Sequence, residues 1–272
     1  MAKTEFGDDD LIGVLEPLKS YLPEIVVCGG WTLYIYRKWV LKQAGPLPLR
    51  TGDVDVAVPQ ELPLQAQPLE QLLEKAGFHE DLTGSGKLAI MHFLKKDAPF
   101  IEFLTPRKSS KDPDVVDIQE GITAQVLQYL SIVLENPRDV QVPRRGFKVR
   151  IPTAAAYLYQ KGLSFPYRSK RDRRAKDLAY IFELLNNFPE LRKTLPQELI
   201  ELSRRYPDTW LRTFRRNLEK EFSSIDGTGV ADVLGQMPHP YAERMRMDAT
   251  NGRPLFAQTV LSAFQTFLKD LG

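Results

Sequence analysis

Two aspartates set one residue apart in a run of valines constrain this chain more than any other feature. In Thr51-Gly52-Asp53-Val54-Asp55-Val56-Ala57-Val58 polar and apolar residues alternate with the period of a strand. Asp53 and Asp55 therefore emerge on one face, and Val54, Val56 and Val58 turn to the other, toward a core. Two carboxylates one strand repeat apart repel unless a cation sits between them. Hard oxygen donors in this spacing suit Mg²⁺, which takes one or two carboxylates and leaves its other positions to water and phosphate oxygens. The plainer reading of an isolated Asp-x-Asp is the exposed edge of an amphipathic strand, so the neighbouring segments matter.

Upstream, Ile25-Val26-Val27-Cys28 reads as a short apolar strand, Gly29-Gly30 follows, and Trp31 to Trp39 is apolar enough for a helix. Strand, double glycine, helix is a geometry that lets bare backbone approach a phosphate at a helix N-terminus. Thr32 adds a hydroxyl in the first turn. A tight strand-to-helix turn would also explain the glycines. Ahead of an Asp-x-Asp strand they read as half of a nucleotide site, glycines for the phosphates and carboxylates for the metal. Downstream, Leu88–Leu94 and Phe100–Pro106 form two strands joined by the turn Lys95–Pro99. Glu102 is the lone acid among apolar neighbours, and a buried unpaired carboxylate is costly. Placed beside Asp53 and Asp55 it would complete a cluster able to hold two metal ions. An outward-facing Glu on an antiparallel strand is the other reading.

Gly29-Gly30, the run Arg50-Thr51-Gly52-Asp53-Val54-Asp55, and Ile101-Glu102-Phe103-Leu104-Thr105-Pro106 together resemble the DNA polymerase β-like nucleotidyltransferase superfamily. Val149 to Lys161, followed by Lys170 to Ile181 with its Lys176-Asp177-Leu178, looks like the bacterial branch of AbiEii-type toxins and their chromosomal relatives. That branch pairs a lysine-bearing helix with a later Lys-Asp-Leu/Ile helix. The resemblance spans residues 25–185. It departs from the superfamily at Gly29-Gly30, where Gly-Ser is frequent, and at Glu102, where Asp is usual and Glu lengthens the reach to a metal by one methylene.

The resemblance implies an α/β (α+β) fold, with a small mixed-sheet nucleotidyltransferase domain followed by a mainly helical domain. It implies Mg²⁺-dependent transfer of a nucleotide from an NTP, with two ions held by Asp53, Asp55 and Glu102. Gly29, Gly30 and Thr32, with Arg50 and Thr51, would hold the nucleotide, and Lys161 would bind its triphosphate. Asp177 would orient Lys161 or the base. The structural alternatives are a snorkelling Lys161 at the end of an apolar helix and a helical ion pair of Asp177 with Arg173 or Arg174. Relatives of this type suggest RNA as acceptor, at tRNA 3′ ends, in a toxin–antitoxin pair with an antitoxin partner. A protein hydroxyl is the enzymatic alternative, and a catalytically silent nucleotide- or RNA-binding module the non-enzymatic one.

Charge adds to this picture. The net charge is only +2, yet between Arg144 and Lys176 the only acid is Asp172. Such a stretch suggests a polyanion surface, with Arg144, Arg145, Arg171 and Arg174 as RNA contacts and no DNA sequence reading expected. Arg204, Arg205, Arg212, Arg215 and Arg216 repeat the theme, with Tyr206 and Trp210 interleaved for stacking. A solvated helix face paired with Glu219 and Glu221 is the preferred reading of this second group.

Further features bound the answer. At 272 residues and 43% hydrophobic the chain can build two modest domains or one large one. Cys28 is the only cysteine, which excludes an intramolecular disulfide and a thiolate-rich zinc site. The first ten residues are polar and acidic rather than a signal peptide, and no apolar run approaches the ~20 residues of a membrane span. A cytoplasmic protein without membrane contact is expected. Helices are expected over Asp9–Leu22 and Gln67–Ala76, a surface loop over Ser109–Asp117, and a hairpin of Val140–Val142 with Phe147–Ile151. Pro152 is expected as a first helical residue, which places a domain change there and gives domains 1–152 and 153–272. His79, His92 and His239 show no metal-ligand spacing and read as structural or superficial. Thr83–Leu88 fails as a Walker A loop, because Glu80 stands at the first glycine and Leu88 at the Ser/Thr.

Overall fold

The structure, a computed structural model, describes residues 6–44, 48–49, 51–83, 90–236 and 252–272. It divides into two compact units, Met1–Thr153 and Ala154–Gly272.

The first unit opens with α1 (Asp8–Leu15), whose three leading aspartates complement the positive end of the helix dipole. Asp10 also turns back to accept the Gly7 amide at 2.7 Å. The sequence reading carried this helix to Leu22. It stops at Leu15 because Pro17 has no N–H to continue the ladder, and residues 16–24 continue as turns that still bury Leu18, Tyr21 and Leu22. Next come β1 (Val26–Val27), α2 (Gly30–Ile35), which runs on as a π-helical turn over Tyr36–Val40, and β2 (Asp53–Ala57). After α3 (Leu69–Lys75) follow β3 (His79–Thr83), β4 (Ile90–Leu94), β5 (Phe100–Pro106), β6 (Val115–Gln119) and β7 (Ile122–Leu127). The unit closes with α4 (Ser131–Glu135), β8 (Pro137–Gln141) and β9 (Lys148–Pro152).

Seven strands form one mixed sheet, in the order β1-β2-β5-β4-β3, with β7 also on β5 and β6 on β7. β2 and β5 are parallel; β1 on β2, and β4 on both β3 and β5, are antiparallel. The β4–β5 turn is tight because Asp97 adopts φ 56°, a left-handed conformation that aspartate tolerates better than most residues. β8 and β9 make a separate two-stranded ribbon. The mixed α/β class expected from sequence is therefore what is found. Three local expectations are corrected. The loop read over Ser109–Asp117 ends earlier, since β6 starts at Val115 and pairs Asp117 with Thr123. α3 starts at Leu69 rather than Gln67, because Pro68 is its extended N-cap. Pro152 closes β9 on an edge instead of opening a helix. Of the strand read over Leu88–Leu94, residues 88 and 89 lie outside the described residues, as does the rest of the Walker-like turn after Thr83.

The second unit is helical: α5 (Ala154–Ser164), a 3₁₀ turn at Phe165–Tyr167, then α6 (Arg171–Asn187), α7 (Pro189–Arg192), α8 (Leu195–Ser203), α9 (Asp208–Glu221), α10 (Thr228–Gln236) and α11 (Gly252–Asp270). All of α5 is buried, the signature of a central helix. It meets α9 at Gly162, where a Cβ would collide with the Phe214 ring and where Asn217 donates to the Gly162 carbonyl at 3.0 Å. Gly162→Ala is accordingly expected to cost about 1–3 kcal/mol of stability through overpacking, read by urea unfolding; a wild-type midpoint would show that α9 is free to shift. Among the described residues, no helix is long and apolar enough to cross a membrane.

Candidate active site

The site is built on the parallel pair β2–β5. Register places Asp53 across from Phe100 and Asp55 across from Glu102, so the three carboxylates share one face of the sheet. Ligand oxygens of Asp53, Asp55 and Glu102 all lie within 4.8 Å of one another. The opposite face, with Val54, Val56, Ile101 and Phe103, is buried and fixes both strands as a rigid platform. Glu102 is only 7% exposed. Two unit charges about 4–5 Å apart repel by roughly 3–4 kcal/mol at an effective dielectric of 20. Three such groups, one of them buried, are stabilised together by a cation. All three donors are hard oxygens, the set that suits Mg²⁺.

Gly29 completes this corner. Its backbone, at φ 65° and ψ −148°, lies in a region open essentially to glycine. A Cβ there would overlap the Asp55 carboxylate. The Cys28 amide donates to the Asp55 carbonyl at 2.8 Å, so the strand-to-helix turn is docked directly on β2. Gly30 begins α2 and is buried. The Thr32 hydroxyl is fully buried with no hydrogen-bond partner among the described residues. Thr51 donates its hydroxyl to the Asp53 carbonyl at 3.1 Å and so braces the strand start. Arg50 lies outside the described residues.

Sequence reasoning set His92 aside, but the sheet does not. β4 places it directly across from Glu102, with Nε2 3.9 Å from the carboxylate and its ring against Phe100 at 5.0 Å between centroids. The signal was present: with residues 95–99 as the turn, the hairpin register pairs 92 with 102. His79 begins β3, exposed, and His239 lies outside the described residues.

In the helical unit the Lys161 ammonium meets Asp177 Oδ1 at 2.5 Å, and Arg168 Nε meets Oδ2 at 2.7 Å. The expected alternative for Asp177, a pair with Arg173 or Arg174 on its own helix, is replaced by this bridge. Burial raises the pKa of Asp177, but Lys161 and Arg168 outweigh it and hold the carboxyl below its ordinary value. The rings of Tyr157 and Tyr180 flank the ammonium at 5.7 and 5.4 Å. Arg168 was missed because the 3₁₀ turn that swings it back to α6 carries no clear sequence signal.

The basic stretch is less free than it reads. Arg144 pairs with Asp9 at 3.2 Å and Arg145 with Glu16 at 2.6 Å. Arg171 pairs with Asp232 at 3.0 Å, and Arg174 engages Glu221. Every one of these acids lies outside the Arg144–Lys176 span, so a count along the chain could not find them. Lys170 and Arg173 are exposed and carry no ion pair among the described residues. In the later group, Arg215 pairs with Glu219 one turn on, as a solvated face would. Tyr206 and Trp210 stack on each other, 5.3 Å apart and 8° from parallel.

No curated protein and no solved structure matches the chain. A family model described as nucleotidyltransferase matches residues 11–204. That span holds Gly29, the three carboxylates, Lys161 and Asp177, and it covers well over half of the sequence. The carboxylate platform and this match agree, and the chain belongs to this nucleotidyltransferase family.

Proposed function

We propose that the protein transfers a nucleoside monophosphate from an NTP to an acceptor hydroxyl in a Mg²⁺-dependent reaction, with the 3′ end of an RNA as acceptor. The observation that carries this reading is the set of three carboxylates held within 4.8 Å on two neighbouring parallel strands. Bound Mg²⁺ would supply neutralisation of the charge that develops on the transferring phosphoryl group. Asp53, Asp55 and Glu102 would hold it, on two strands that keep the three carboxylates in place. Gly29 and Gly30 allow phosphate oxygens close to bare backbone, and the buried Thr32 hydroxyl offers a donor there. The acceptor oxygen forms a bond to the α-phosphorus as the bond from that phosphorus to the bridging oxygen breaks, and pyrophosphate leaves. No protein nucleophile is needed; positioning and charge stabilisation carry the reaction.

Lys161 is proposed as the triphosphate-binding ammonium of the helical unit and Asp177 as the group that orients it. The 2.5 Å contact between them supports the second role. For RNA, the exposed Lys170 and Arg173 are better phosphate contacts than Arg174, whose guanidinium is engaged with Glu221. The AbiEii-like toxin role rests on the resemblance of Val149–Lys161 and Lys170–Ile181 alone, and an antitoxin partner would follow from it.

The test is transfer of α-labelled NTPs, one at a time with Mg²⁺, into total RNA and lysate protein, with Asp53→Ala beside wild type. Label in small RNA that vanishes in the variant is the expected result, together with loss of Mg²⁺-dependent NTP binding by Asp53→Ala. Label in a protein band would move the acceptor to a side-chain hydroxyl. Absence of label with intact NTP binding would make the protein a silent nucleotide-binding module.

A further inference from the structure

The sheet extends the acidic cluster in a direction the carboxylates alone do not reveal. Asp55 on β2, Glu102 on β5, His92 on β4 and Asp81 on β3 are successive register partners. They form one cross-strand row on a single face. His92 Nε2 stands 3.9 Å from Glu102 Oε2. Nitrogen and oxygen donors bind small divalent ions at about 2.0–2.2 Å, so one ion can touch both atoms without moving the backbone. Phe100, on the same face and two residues before Glu102, packs on the imidazole and limits its rotation. Asp81 stands across from His92 on the neighbouring strand, the kind of residue that takes the second ring N–H in carboxylate–histidine–metal arrangements.

We propose that His92 supplies a nitrogen ligand to a cation bound at Glu102, making a mixed nitrogen–oxygen site that favours first-row transition ions such as Mn²⁺ over Mg²⁺. The inference rests on the metal-dependent reading above. Its physical basis is donor type. Mg²⁺ selects oxygen and keeps its waters, whereas imidazole strengthens binding of the first-row transition ions. Carboxylates accept Mg²⁺ and Mn²⁺ alike, so the part of the preference that depends on His92 is what identifies the nitrogen ligand.

The experiment uses the full chain and Mn²⁺ as probe, followed by electron paramagnetic resonance. Wild type, His92→Ala and Asp53→Ala are compared, with melting temperatures of the metal-free proteins as the folding control. In wild type, bound Mn²⁺ is expected to show the nitrogen coupling of a directly attached imidazole. In His92→Ala that coupling disappears and Mn²⁺ affinity falls at least about tenfold, while Mg²⁺ affinity changes far less. Mn²⁺ bound by wild type without nitrogen coupling, or with equal affinity in His92→Ala, overturns the assignment while leaving the carboxylate site standing. Mn²⁺ binding unaffected by Asp53→Ala overturns the carboxylate site itself, and failure of wild type to bind Mn²⁺ overturns both.

Discussion

Gly29→Ala is expected to lower nucleotidyl transfer by 100-fold or more, an effect as large as removing a ligand, from a residue that ligates nothing. The argument is steric. The added methyl would occupy the space filled by the Asp55 carboxylate, so either the carboxylate swings off the cluster or the turn into α2 opens. A displacement of about 1 Å at a reacting centre is enough for a hundredfold loss. The backbone adds its own cost, because φ 65° with ψ −148° is open essentially to glycine and forcing another residue there costs about 1–3 kcal/mol. Transfer rate and Mg²⁺-dependent NTP affinity should be measured beside the melting temperature. Loss of transfer with a modest drop in melting temperature is the expected result. Wild-type transfer by Gly29→Ala would mean that Asp55 need not stand where the structure holds it, and the metal-ligand assignment would fail with it.

What could be read from the sequence was what local periodicity encodes. Alternation along Asp53–Val58 is enough to put Asp53 and Asp55 on one face, and the β4–β5 hairpin follows from its five-residue turn. That same turn carries the register that places His92 across from Glu102, a step that follows from counting but is easily passed over when histidines are screened only for metal-ligand spacing. The parallel pairing of β2 with β5 is different. It joins segments separated by α3 and two strands, and no local signal specifies it; Glu102 stood out as the lone acid of its strand, and the resemblance implied that it would join the aspartates. The same limit explains the arginines. Asp9, Glu16, Glu221 and Asp232 reach Arg144, Arg145, Arg174 and Arg171 from 61 or fewer residues away in one unit and from far up the chain in the other, and composition along the chain is blind to such partners. Pro17 was another local signal passed over: a missing N–H ends α1 where the hydrophobic pattern alone would continue it.

The largest stability effect is expected in the helical unit, and it is asymmetric. Asp177→Asn removes the carboxylate that Lys161 and Arg168 share. Lys161 is buried, and stripping one member from a buried pair typically costs about 3–5 kcal/mol, because a charge is left without compensation. Against a total stability of about 5–15 kcal/mol for a typical domain, that is a large share. Lys161→Met should cost less, since Asp177 keeps Arg168, and the double variant Lys161→Met/Asp177→Asn should be more stable than the sum of the two single losses predicts. The pH dependence has a definite sign. The Asp177 carboxyl is held below its ordinary value in the folded protein, so the unfolded chain binds its proton first as acid is added. The stabilisation is complete above the ordinary aspartate range, near pH 4, and is lost as pH falls through the lower folded value. Urea unfolding of wild type and Asp177→Asn at several pH values should therefore show a gap that is widest and flat at neutral pH and narrows only on the acid side. A gap that closes toward alkaline pH, or that stays under 1 kcal/mol throughout, would mean that this bridge is not what holds α5 against α6.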